Sequence, residues 1–288
     1  MANRVHTSDE TSPGLVSTGQ VACGTMSRRP VGSSHRTHQD TASPEASRPA
    51  PTGFEKSPSA ACGPRCPPSS SQRSSVSIEV ELDGTLVDRQ TAVRDALTAL
   101  CLAHDFDTVT EQWLRAELVD RANPDNFVRL REVFGLAVSA AQLWREYVDL
   151  MAAAVTCRPE VLKGLARLRA AAWTIGIVTN GASDVQRAKI AVTGLARLVD
   201  GVAVSGDLEI RKPDQRLYEL AASRCGRSLI EGGWMIGDNP AGDVGGGHQA
   251  GLRTIWLRGR HWPDELAAPN HVVDDVTDAI TILLNETE

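Results

Sequence analysis

Six side chains, taken in chain order, are of the types that phosphate chemistry uses. Glu81 and Asp83 stand two apart just before Gly84-Thr85, and Thr179 closes the run I-V-T-N-G. Lys212 lies in R-K-P-D, and Asp238 and Asp243 lie in G-D-N-P-A-G-D. Mg²⁺ prefers one or two carboxylates, several waters and a substrate phosphate, and Glu81 and Asp238 are of the type to supply the carboxylates. A hydroxyl, an ammonium and backbone N–H groups beyond a strand suit the non-bridging oxygens of a phosphate. The chemistry implied is phosphoryl transfer, which rests mainly on positioning and charge neutralisation. Each element alone is weak, because a lysine before proline is usually surface and G-D-N-P is often only a turn. Their order, each member with a strand before it, is what makes coincidence improbable.

The elements that must position them are legible in the hydrophobic pattern. Ile78, Val80 and Leu82 alternate as in a half-buried strand. The pattern then turns helical, with Ala92, Leu97, Leu100 and Cys101, then Trp113, Leu114 and Leu118 behind Thr110 as N-cap. Pro124 opens a segment with Phe127, Val128, Leu130 and Phe134; Ser139 precedes Leu143, Trp144, Tyr147, Val148 and Met151. These make about four amphipathic helices, whose aromatic stripe reads as their own core. A further helix, with Val161, Leu165 and Leu168, leads back toward the strands.

From Trp173 onward strands and helices alternate. Trp173 to Val178 is a strand, and Ser183 caps a helix through Val192. Gly201 to Ser205 is a strand, followed by a helix from the R-K-P-D run to Cys225. Trp234 to Ile236 is a strand, and Asp243 begins a helix to Ala250. Thr254–Leu257 and His271–Val273 are strands, and Val276–Leu284 is a closing helix. Such alternation implies an α/β fold with a doubly wound parallel sheet, whose ligands sit at the carboxyl ends of the strands. The polar groups named above all fall there.

Composition bounds the rest. The 288 residues carry a net charge of −6, which argues against nucleic acid as the main partner. No run approaches a membrane helix, and no apolar leader follows a basic start. Cys23, Cys62, Cys66, Cys101, Cys157 and Cys225 lack metal-binding spacing and read as reduced thiols of a cytoplasmic protein. Residues 1–75 hold nine of the fifteen prolines, with eight Lys and Arg against five Asp and Glu. Their sparse apolar content predicts a disordered tail. It reads as a dispensable extension, with Met26 or Val76 as the true start, or alternatively as a regulatory arm.

The motifs E-L-D-G-T-L-V-D, I-V-T-N-G, R-K-P-D and G-D-N-P-A-G-D resemble the four motifs of the haloacid dehalogenase-like (HAD) hydrolases, across roughly residues 76 to 288. The resemblance implies a Rossmann-like core of residues 76–88 and 160–288, with a helical cap, 89–159, inserted after the first strand. It implies a Mg²⁺-dependent phosphomonoesterase acting on a small phosphorylated metabolite. The carboxylate at 81 would attack phosphorus, and Asp83 would protonate the leaving oxygen and then activate water. Thr179 and Lys212, helped by Gly84 and Asn180 backbone groups, would hold the phosphoryl oxygens. Mg²⁺ would rest on Glu81, Asp83 through its carbonyl, and Asp238, with Asp243 orienting the metal's waters or Lys212. Asp83 points away from dehalogenases, which lack the second acid. The departure is Glu81, where the family has aspartate: a methylene shifts the carboxylate by about 1 Å, enough to cost on the order of 100-fold in rate. The alternative expectation is therefore a weak or inactive relative that binds a phosphorylated ligand or a partner.

Overall fold

The computed structural model describes residues 77–118 and 120–286. The tail expected over 1–75, and with it Cys23, Cys62 and Cys66, lies outside the described residues. A six-stranded parallel sheet has the order β3-β2-β1-β4-β5-β6. Its strands are β1 (Ser77–Val80), β2 (Thr174–Thr179), β3 (Gly201–Val204), β4 (Gly233–Gly237), β5 (Arg253–Leu257) and β6 (His271–Val273). The order reverses at β1, which pairs Val80 with Ile177 of β2 on one side and with Ile236 of β4 on the other. This is the switch point at which such sheets form a crevice.

Between β1 and β2 run α1 (Arg89–Ala103), α2 (Thr108–Leu118), α3 (Pro124–Phe134), α4 (Ala140–Ala154) and α5 (Pro159–Ala170). Later come α6 (Ser183–Val192), α7 (Gln215–Arg224), α8 (Gly246–Gln249) and α9 (Val276–Asn285). Ser139 does cap α4 by accepting from the Gln142 N–H. Two expected caps fail. Asp107, not Thr110, accepts at the start of α2, because a carboxylate satisfies both the Thr110 N–H and its hydroxyl. Ser183 lies inside α6 and donates to Asp207 instead. The helix expected from Asp243 begins earlier, as a π-helical turn over Pro240–Gly245 that runs into α8. The aromatic stripe is internal to the inserted helices: Phe127 packs 5.5 Å from Trp144 and 5.4 Å from Tyr147, ring centre to ring centre.

Both faces of the sheet are covered, and α7 lies on the one that carries Val178, Ala203 and Met235. One strand residue does not suit such an interior. Glu79 is 0% exposed, and neither carboxylate oxygen has a hydrogen-bond partner among the described residues. A side chain on neighbouring Gly176 would collide with it, so the missing Cβ there makes its room. Burial pushes the Glu79 carboxyl up to about 8 from an ordinary 4.5. Between those values the folded chain holds a proton that the unfolded chain releases, so stability is fullest below pH 4.5 and falls as pH rises toward 8. In urea unfolding at pH 5 and pH 8, Glu79→Met should abolish a loss on the order of a few kcal/mol seen in the parent. An unchanged pH slope would show that Glu79 does not carry it.

Candidate active site

The carboxyl ends of three strands meet at one buried ammonium. Lys212, between β3 and α7, is 7% exposed, and its Nζ donates to the Val178 carbonyl at 2.8 Å and to Asp243 Oδ1 at 2.6 Å. It also pairs closely with Glu81 Oε2. Desolvation draws the ammonium below its ordinary range, and the Asp243 charge opposes that shift. Asn180 fixes the Lys212 backbone by accepting its N–H at 2.9 Å. The side chain therefore leaves a clamped backbone and reaches into the crevice.

Glu81 follows β1 directly, and its N–H still bonds to the Ile236 carbonyl of β4. Its Oε1 accepts from Thr179 Oγ1 at 2.6 Å and from the Asp83 N–H at 3.1 Å. Thus Thr179 and Lys212, the two groups expected to hold phosphoryl oxygens, both grip the Glu81 carboxylate. The chain then turns at Gly84, where φ is +79° and a Cβ would lie 2.8 Å from Asp238 Oδ2. Only glycine suits both the left-handed backbone and that approach. The Gly84 N–H is taken by the Val87 carbonyl at 2.9 Å, so it closes the turn rather than facing the crevice as expected.

Asp238 leaves the end of β4, and Arg260 donates to its Oδ2 at 2.9 Å. Burial first, and the Asp243 charge second, push its carboxyl above the ordinary range. Asp243 is aimed back by the π-helical turn and fits beneath Gly237, where a side chain would collide with it. Its Oδ2 accepts from the Asn239 N–H at 2.8 Å and its Oδ1 from Lys212. Both oxygens are engaged, one of them by Lys212. Among the described residues no three Asp, Glu, His or Cys side chains form a metal cluster by themselves. The donor chemistry still fits Mg²⁺: hard oxygen donors from Glu81 and Asp238, in a crevice where Asp238 already carries an electrostatic strain that a cation would relieve.

Sequence reasoning missed what holds Asp83. Lys189 of α6, 1% exposed, donates to both Asp83 oxygens at 2.8 and 2.9 Å. Gln186 donates to Asp83 at 3.1 Å and to Thr179 Oγ1 at 2.8 Å. Arg89, at the start of α1, lies 3.9 Å from Asp83. The available signal was spacing: Gln186 and Lys189, three apart, share a helix face with buried Val185 and Ile190 beside them. Removing one member of a buried pair strands the other's charge. Lys189→Met should therefore cost about 3 kcal/mol in urea unfolding. Combining it with Asp83→Asn should recover part of that loss, and strict additivity would show that the two do not interact.

A model of the haloacid dehalogenase-like hydrolases matches residues 82–251. A phosphoserine phosphatase of Thermus thermophilus is 39% identical over 119 residues, covering 41% of this chain and 47% of that protein. The pyrimidine 5'-nucleotidase YjjG of Escherichia coli (strain K12) is 32% identical over 126 residues, covering 44% of this chain and 56% of that one. The chain thus spans about half the length of these curated relatives. Among solved structures, a putative HAD-hydrolase YfnB of Bacillus subtilis bound to magnesium superposes with a TM-score of 0.56 at 22% identity. It covers 73% of this chain and 98% of that one, a likeness of fold.

Proposed function

The chain belongs to the haloacid dehalogenase-like hydrolases, and on that premise we propose that it is a Mg²⁺-dependent phosphomonoesterase acting on a small phosphorylated metabolite in the cytoplasm. The observation that carries this reading is the convergence of Thr179 Oγ1 and Lys212 Nζ on the Glu81 carboxylate, next to Asp83. A nucleophile needs phosphate-oxygen donors around it, and an acid/base within reach of the leaving group. Glu81 is the nucleophile, attacking phosphorus to form an acyl-phosphate while the alcohol oxygen leaves with a proton from Asp83. Asp83 then takes a proton from water, which attacks the acyl-phosphate and releases inorganic phosphate with Glu81 restored. Thr179 and Lys212 stabilise the charge on the phosphoryl oxygens, and Asn180 and Asp243 keep Lys212 in place. Glu81, Asp238 and the Asp83 carbonyl would hold Mg²⁺, which would neutralise charge on the substrate phosphate. Helices α1–α4, as a cap over residues 89–159, would cover the site. The free thiols Cys101, Cys157 and Cys225 suit a reducing compartment. Asp83 supports phosphate-ester over carbon–halogen cleavage.

A second reading, a ligand-binding relative with little turnover, is favoured by the engagement of both Glu81 oxygens. A longer side chain that already occupies the phosphate donors must withdraw before a phosphoryl group can enter. A panel of phosphorylated metabolites with Mg²⁺ separates the two. The phosphatase reading expects measurable turnover in the parent that Lys212→Ala and Glu81→Ala abolish. Parent activity at background, with at least a roughly tenfold gain in Glu81→Asp, would favour the binding relative. Activity in Glu81→Ala equal to the parent's would remove position 81 as nucleophile.

A further inference from the structure

The inserted helices face the sheet across a small pocket of about 40 Å³, lined among others by Asp83, Arg89, Asp120, Arg121, Lys189 and Arg211. Four of these are cations and two are acids. Lys189 is committed to Asp83, and Arg89 stands beside the same carboxylate and donates to the Leu118 carbonyl at 3.3 Å. Arg121 and Arg211 are exposed and have no acidic partner among the described residues. They come from different parts of the fold: Arg121 from the link between α2 and α3, and Arg211 from the residue before Lys212. The two guanidinium groups sense each other, since desolvation first and the Arg121 charge second draw Arg211 below its ordinary range. Two like charges gathered over one pocket are relieved by an anion between them. The guanidinium fork matches a carboxylate in bidentate geometry. The space beside Asp83 is small against the roughly 300 Å³ or more of pockets that enclose drug-sized ligands, which favours a short leaving group.

We propose that Arg121 and Arg211 form a second anion subsite, which takes the carboxylate of a short-chain phosphorylated carboxylic acid whose phosphoryl group lies at Thr179 and Lys212. The proposal rests on the phosphate-site reading above and narrows its substrate class. Because Arg121 belongs to the inserted helical segment and Arg211 to the segment between β3 and α7, a carboxylate held by both would also tie the two together.

A matched pair of esters tests it: 3-phosphoglycerate, and glycerol 3-phosphate, which replaces the carboxylate by a neutral hydroxymethyl group. Both are measured with Mg²⁺ on the full chain and on Glu81→Asp, by phosphate release and by calorimetric binding. The expected result is a preference for 3-phosphoglycerate of about tenfold or more, in kcat/KM or in Kd. Arg121→Gln and Arg211→Gln should each reduce that preference several-fold at unchanged Tm, with Lys substitutions recovering only part because they lose the fork. Equal use of the two esters, or a preference indifferent to both arginines, overturns the subsite while leaving the phosphatase reading intact. Failure of 3-phosphoglycerate to bind also overturns it. Arginine-dependent binding of 3-phosphoglycerate with no hydrolysis of any ester, even by Glu81→Asp, keeps the subsite and removes the phosphatase reading.

Discussion

The structure depends on one buried cation that is shared among strand ends. Lys212 sits where β1, β2 and the turn after β4 come together, and it bonds to Glu81, to the Val178 carbonyl and to Asp243. Desolvating an ammonium is costly unless its donors are satisfied, and here three acceptors surround it. Each acceptor needs its own geometry. Glu81 needs β1 to end at Val80, Asp243 needs the π-helical turn and the absent side chain of Gly237, and the lysine backbone needs the Asn180 clamp. The sheet order, with its reversal at β1, is what lets acceptors from non-adjacent parts of the chain meet at one point.

Much of that frame was legible in the sequence because it obeys local rules. Apolar runs ending in polar punctuation gave the strands, and period 3.6 gave the helices between them. What local rules do not encode is which side chain a loop group will meet. Thr110 looked like an N-cap by type, yet Asp107 is better placed to accept, and Ser183 was drawn to Asp207 across the fold. Lys189 was overlooked for a related reason, although its spacing from Gln186 and its place beside Val185 and Ile190 put it on the buried face of α6. A lysine on an amphipathic helix reads as solvent-facing, and only the tertiary approach of α6 to the turn after β1 turns it inward to Asp83. Asp243 was read as serving either a metal's waters or Lys212; its Oδ1 accepts from the lysine and its Oδ2 from the Asn239 N–H, a pairing that the residue types alone do not specify.

The two acids that follow β1 differ in surroundings rather than in type. Asp83 is gripped by Lys189 and Gln186 on a helix, and so is held by rigid structure. Glu81 is gripped by the same donors a phosphoryl group would need. Two positions earlier, Glu79 has no partner at all among the described residues. The same residue type thus experiences two environments two positions apart, one within β1 and one just beyond it: one carboxyl is kept neutral by burial, and the other is met by an ammonium.

The contact between Trp144 and Asp184 has a further consequence. The indole N–H of α4 donates at 2.6 Å to the first turn of α6, the helix that carries Gln186 and Lys189. Swinging α4 away from the core must break that bond and unload the same helix that steadies Asp83. In the proposed chemistry, opening the crevice to solvent and keeping Asp83 aligned would therefore be mechanically opposed.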